Sequence, residues 1–197
     1  MTLVEIISIA ITAILINNVL LYDCWGICSF IGVSKKKSSA LGMGLAVLFV
    51  LILSSLVAWV IYKFVLLPLD ITFLYILVYI LVIATLVQIV EMVMKKFIPG
   101  LYKVLGIYLP LITTNCIIMF VAKQVTISGN YDLLHTIVYS ISIGLGYILV
   151  MYIFSGLRER IETAPIPKPF KGAAIAFIIA AFMALAFKGF GGIAGQK

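Results

Sequence analysis

Polar and charged positions in this chain do not alternate with apolar ones. They gather into short clusters that separate long apolar runs. Residues 6–22, 38–62, 71–90, 104–122, 136–157 and 172–187 contain no Asp, Glu, Lys or Arg. A helix that crosses a bilayer needs about 20 predominantly apolar residues, within a range of roughly 17–25. Four of the runs meet that length outright. The first has 17 residues, and the last has 16 and extends past Lys188, whose stem can snorkel to the interface. A strand reading fails on period, because a membrane strand alternates over about 10 positions. Leu45-Ala46-Val47-Leu48-Phe49-Val50-Leu51-Ile52-Leu53 is apolar on every side. In hydrocarbon each amide needs an internal partner, so a run of this kind is helical. The pattern predicts an all-α integral membrane protein with six transmembrane helices in one domain, 1–197.

Composition agrees. Hydrophobic residues make up 64% and charged residues 11%, where soluble domains carry about 25% charged. Too little polar surface remains to coat a water-soluble core. Glu5 stands where a secretory signal would be basic, and no small-residue cleavage site follows, so the start reads as a first span.

The net charge of +7 reads as a topology signal. Lys35, Lys36, Lys37, Lys95, Lys96, Lys103, Arg158, Arg160, Lys168 and Lys171 fall in alternate connections, on one side. Lys63, Lys123, Lys188 and Lys197 fall on the other. Ten against four predicts both termini outside and three basic cytoplasmic loops. Nothing in the chain supports a nucleic-acid surface. The longest cytoplasmic connection, 158–171, contains three prolines and reads as a stiff extended strap.

The two halves, 1–98 and 99–197, carry weak internal similarity. Leu15-Ile16-Asn17-Asn18 pairs with Leu111-Ile112-Thr113-Thr114, and a cysteine follows each, Cys28 and Cys116. Gly42-Met43-Gly44 pairs with Gly144-Leu145-Gly146. Three spans per half make the repeats inverted, an arrangement that commonly places a site at broken helices near the midplane. The glycines read as close helix packing or as backbone beside an ion path. Asn17, Asn18, Pro110, Thr113, Thr114 and Asn115 are polar or helix-breaking positions inside spans. Such residues serve either as interhelical hydrogen-bonding groups or as breaks that expose backbone around a site.

Chemistry-bearing residues are few. Cys24, Cys28 and Cys116 are the three cysteines, and their spacing alone leaves both a packing role and a metal role open. A disulfide is disfavoured, because Cys28 falls near the cytoplasmic end of its span. His135 at the edge of the fifth span reads as interfacial rather than as a ligand. Glu91 and Lys95 are spaced for an ordinary helix-end pair, with ion entry as the other reading.

Five runs carry a resemblance over essentially the whole chain. They are Asn17-Asn18-Val19-Leu20, Gly26-Ile27-Cys28, Phe30-Ile31-Gly32-Val33-Ser34-Lys35-Lys36, Val87-Gln88-Ile89-Val90-Glu91-Met92, and Leu105-Gly106-Ile107-Tyr108-Leu109-Pro110-Leu111-Ile112-Thr113-Thr114-Asn115-Cys116. With Arg158-Glu159-Arg160 and the Pro167, Pro169-Phe170 and Gly172 pattern, they resemble the A subunits of Rnf electron-transport complexes. The homologous E subunits of sodium-pumping NADH:quinone reductases are also similar. They usually have Glu-Asn at Asn17-Asn18 and a longer second loop than 63–70, which favours the Rnf side.

The resemblance implies a bacterial inner-membrane protein of two inverted repeats. It implies an electron relay through an intramembrane [2Fe–2S] cluster shared with a homologous, oppositely inserted E subunit. The complex would hold B, C, D and G subunits as well and couple ferredoxin:NAD⁺ oxidoreduction to Na⁺ or H⁺ movement. Cys28 and Cys116 match the family's cluster cysteines. Cys24, where relatives are usually bulky and apolar, reads as packing. Asp23 and Ser29 also depart from the family, which often has a basic residue and proline there. Such a cluster takes four thiolates, so two from this chain make half a site. A straight helix from residue 6 would carry Cys28 about 33 Å along its axis, past the membrane centre, so the first and fourth helices are expected to be discontinuous near the cysteines. No catalytic acid or base is expected. Reducing a buried cluster adds uncompensated negative charge, and cation uptake nearby would offset it, which suggests a coupling route. A transporter without a redox centre, a scaffold, and the quinone-reductase type remain rival readings.

Overall fold

The computed structural model describes residues 3–34, 36–66, 75–97, 111–112, 114–127, 132–162 and 172–193. Among these residues there is no strand. Helix α1, Leu3–Ile11, runs into a π-helical turn, Thr12–Ile16. A short helix α2 covers Ile27–Val33. Helix α3, Lys37–Ile61, continues through a second π turn, Tyr62–Leu66. Then follow α4 (Tyr75–Phe97), α5 (Cys116–Ile127), α6 (Leu133–Glu162) and α7 (Ala173–Ile193).

Three described helices are long and apolar enough to cross a membrane: Lys37–Val65, Ile76–Val93 and Leu133–Ile161. They match the predicted second, third and fifth spans. The other three predicted spans contain shorter apolar helices, Ile6–Ile16, Cys116–Val125 and Ala173–Gly189. The first predicted span, 6–22, therefore ends as a helix six residues early. Residues 101–110, with Pro110, lie outside the described residues, as do Thr113 and 163–171 of the proline strap. The helix of the fifth predicted span, α6, runs further than its apolar stretch. It carries Arg158, Glu159 and Arg160, which the charge pattern had assigned to a loop.

The centre of the molecule is the α3–α6 pair, and its contacts fix an antiparallel register. Lys37 pairs with Glu159 at 3.1 Å, and the Ser55 and Ser140 hydroxyls lie 2.8 Å apart. Residue numbers rise on one helix as they fall on the other. Glycine permits close approach at two points. A Cβ on Gly44 would lie 2.8 Å from Ile148 Cγ1, and one on Gly144 would collide with Leu48. The contact is reciprocal: each glycine faces the residue four beyond the other glycine. Small residues at such crossings let two backbones approach where no hydrophobic driving force acts. This is the packing role expected of Gly44 and Gly144.

Around this pair the core is filled by large side chains. Phe30 of α2 stacks on Phe154 of α6, with ring centroids 4.0 Å apart. Tyr79, Ile83 and Val87 form the buried stripe of α4, at helical spacing. On other faces of α4 large apolar side chains, among them Leu77, Leu81 and Met92, are exposed. That distribution suits a helix with one face on protein and the other on lipid or a partner.

Candidate electron-relay site

The helix is interrupted before each of the two family cysteines. In the first half it stops at Ile16 and resumes at Ile27. In the second half Leu111 and Ile112 are helical, Thr114 and Asn115 are not, and α5 starts at Cys116. Each interruption follows a Leu-Ile pair, as the internal similarity suggested, but the first is much the longer.

An interruption in a membrane segment must satisfy its own amides. Here the two buried asparagines do much of that work. Asn18, only 3% exposed, donates its side-chain amide to Ile14 O at 2.9 Å and Gly146 O at 3.1 Å. The bond to Ile14 replaces the backbone donor that would have come from position 18 in a continuous helix. Its Oδ1 accepts from Leu20 N at 3.1 Å. The Asn18 carbonyl accepts from Leu21 N and Tyr22 N, and Val19 O accepts from Trp25 N. Gly26, at φ +90°, then turns the chain into α2, a left-handed conformation that glycine takes without steric cost. Asn17 differs from its neighbour: its side chain is exposed, and only its backbone amide closes the π turn on Thr12 O at 2.7 Å.

Asn115, 6% exposed, caps α5. Its Oδ1 accepts from Ile117 N at 3.3 Å, the N-cap to N2 bond of helix starts. Cys116 therefore occupies the first position of α5, with the amides of Ile117 and Ile118 just beyond it already held by Asn115. Its Sγ lies 3.9 Å from Thr114 O. Cys28 sits in the first turn of α2 and is exposed, while Cys116 is half-buried.

The two interruptions meet. Asn115 Nδ2 donates to Ser29 Oγ at 3.3 Å, so the residue before Cys116 bonds the residue after Cys28. Trp25 packs on Phe120 with ring centroids 5.7 Å apart. A cavity of about 280 Å³ lies at this junction, lined by Trp25, Ile80, Ile83, Thr114, Cys116 and Met119 among others. A larger groove of about 600 Å³ lies on the other flank of the first break, between Ile16–Tyr22 and α7, with Asn18 and Lys188 on its wall.

Other predicted positions resolve more simply. Cys24 is exposed, with a left-handed backbone at φ +59°, so the packing role expected for it does not hold within this chain. The turn that leads into Gly26 pushes its side chain out. Asp23 beside it is exposed as well. His135 is half-buried in the first turn of α6, and Glu91 is half-buried on α4. Among the described residues no three His, Cys, Asp or Glu side chains come together. Sequence reasoning passed over Ser29, Tyr147 and Arg158 as contacts. Arg158, 7% exposed, turns inward and donates to Ile31 O at 2.7 Å and Ser34 Oγ at 2.9 Å, tying down the end of α2. Its neighbour Glu159 pairs outward with Lys37.

Comparison with known proteins points to a membrane-protein family. A family described as Rnf-Nqr subunit, membrane protein, matches residues 6–194. A protein of Erwinia tasmaniensis, described as the A subunit of an ion-translocating oxidoreductase complex, is 47% identical over 189 residues, 96% of this chain and 97% of its own length. Proteins of the same description from Serratia proteamaculans and Actinobacillus pleuropneumoniae are each 48% identical, over 189 and 192 residues, and the alignments cover at least 96% of either chain.

Proposed function

The chain belongs to the Rnf-Nqr family of membrane subunits, and on that premise we propose that it is the A-type subunit of a bacterial ion-translocating oxidoreductase. In this reading the reaction is ferredoxin:NAD⁺ oxidoreduction coupled to Na⁺ or H⁺ movement. The chain spans the inner membrane with both termini outside. It works beside the B, C, D and G subunits and a homologous, inverted E subunit. Its own part is electron relay, with no catalytic acid or base.

One observation carries the proposal: the second helix interruption is hydrogen-bonded, through Asn115, to the helix that follows the first, and each interruption delivers a cysteine to the first turn of the helix that follows it. Cys28 and Cys116 would hold iron. A [2Fe–2S] cluster would supply a one-electron carrier there, and it needs four thiolates. The chain has three cysteines in all, so the remaining ligands must come from a partner. The exposure of Cys28 and the open cavity beside Cys116 suit a site completed from outside. The reciprocal α3–α6 contact supports two inverted repeats, 1–98 and 99–197, because equivalent helices of such repeats run in opposite directions.

This chain's residues have definable tasks in that site. Asn18 and Asn115 keep the broken backbone hydrogen-bonded without water. Gly26 brings α2 close to Asn115: a Cβ there would lie 3.2 Å from its Oδ1. Trp25 and Phe120 cover the junction with apolar surface. The test is the assembled complex, purified without oxygen, with Cys28→Ala and Cys116→Ala variants. Both variants should lose the iron signal in electron paramagnetic resonance and lose ferredoxin-driven ion transport. Iron-free wild-type complex would overturn the cluster, and pumping that persists in either variant would overturn the coupling.

A further inference from the structure

The Ser29 hydroxyl has one donor and two acceptor positions, and all three are occupied. It donates to Gly26 O at 2.9 Å, accepts from Tyr147 Oη–H at 2.9 Å and accepts from Asn115 Nδ2 at 3.3 Å. Ser29 and Tyr147 are each 1% exposed, and Asn115 is 6% exposed. Four pieces of chain thus meet at one oxygen: the first interruption, α2, the second interruption and α6. Ser29 follows Cys28 directly, and Asn115 directly precedes Cys116.

We infer that Ser29, held by Tyr147 and Asn115, is a positioning residue that sets the separation of Cys28 and Cys116. The inference rests on the reading of those two cysteines as cluster ligands. A fully satisfied buried network has one arrangement of low energy, and it transmits that arrangement to whatever it is bonded to. Groups outside the ligand set commonly orient ligands in this way. Tyr147 supplies the anchor, since α6 is the longest described helix and is packed on α3. Without the hydroxyl, the two helix starts lose the hydrogen bond that joins them and keep only the apolar contact of Trp25 with Phe120 and the close approach at Gly26, and the sulfurs vary more in spacing.

The separation is read directly on the full chain in a bilayer, with Cys24→Ser and nitroxide labels on Cys28 and Cys116. Dipolar coupling between the labels should give a single narrow distance in the otherwise unaltered chain. It should broaden in Ser29→Ala and in Tyr147→Phe, and the Ser29→Ala/Tyr147→Phe pair should be no broader than Ser29→Ala alone, because Tyr147 acts through Ser29. Additive broadening would overturn the inference, as would unchanged width in Ser29→Ala. Should Ser29→Ala not insert, Tyr147→Phe, which removes one oxygen, decides by the same width. The whole complex gives the second readout: the cluster spectrum and midpoint potential should shift in Tyr147→Phe. If the wild-type complex lacks iron while the label widths follow the variants, the cluster reading fails and the positioning stands. If the cluster is present and both spectrum and widths ignore the variants, the positioning alone fails.

Discussion

Two adjacent asparagines, Asn17 and Asn18, allow the role of the first interruption to be tested by its energy. Asn18→Ala removes an amide that ties the start of the break to the helix before it and to α6. Leu20 N loses its acceptor, and Ile14 O and Gly146 O lose their donor. Gly146 O lies inside α6 and keeps a helical partner, so its loss is that of an interhelical bond, about 0.6 kcal/mol on average in membrane proteins. The Leu20 amide has no such reserve. A buried donor left without a partner costs roughly 1–3 kcal/mol. Together these predict a destabilisation of about 2–4 kcal/mol once the Ile14 carbonyl is included. Asn17→Ala should cost at most about 0.5 kcal/mol, as for a surface position, because the Asn17 side chain is exposed. Both variants can be unfolded from mixed micelles by sodium dodecyl sulfate, followed by circular dichroism and by tryptophan emission. Trp25 sits within the break, and its share of the emission, beside that of Trp59 on α3, reports on it. Equal costs for the two substitutions, or an Asn18→Ala chain as stable as the parent, would refute the assignment of Asn18 as the group that holds the break.

Three further outcomes follow from the packing. Gly146→Ala should destabilise by about 1–3 kcal/mol in the same titration, since its Cβ would lie 3.1 Å from Asn18 Nδ2 and 3.2 Å from Ile14 Cα, and the backbone at Ile14 cannot withdraw as a side-chain tip can. Arg158→Met should cost about 2–4 kcal/mol, because two charge-assisted bonds to acceptors at the end of α2 are lost and the Ile31 carbonyl loses its side-chain donor; amide exchange in 27–34 should quicken accordingly. Lys37→Ala should change stability by at most about 1 kcal/mol, and less at high salt, since both members of the Lys37–Glu159 pair are about half exposed.

Much of the site was legible because membranes punish exceptions. A charge-free run of 20 residues admits only a helix, and a polar residue inside one has to find a partner or break it. That reasoning marked Asn18, Thr114 and Asn115, and it anticipated breaks ahead of Cys28 and Cys116. It also erred where a side chain's direction mattered. Arg158 counts as a loop charge by its type, yet α6 carries it inward to the end of α2. Cys24 reads as core by its size and polarity, yet the turn that Gly26 completes leaves it outside. Neither direction has a signature in spacing, because both depend on where a neighbouring segment lies.

The chain alone, through the positions of its apolar runs, determined the helical class, the number of expected spans and the places where a helix would fail. Hydrocarbon offers no other partner for the backbone, so composition is decisive there. Which groups meet across those failures was decided by tertiary structure. Ser29 lies 86 residues from Asn115 and 118 from Tyr147 along the chain, and only the packing of α2, the second interruption and α6 against one another brings their polar atoms to one point. A hydrogen bond requires two partners at about 3 Å, and no pattern along a single stretch of residues encodes the second partner.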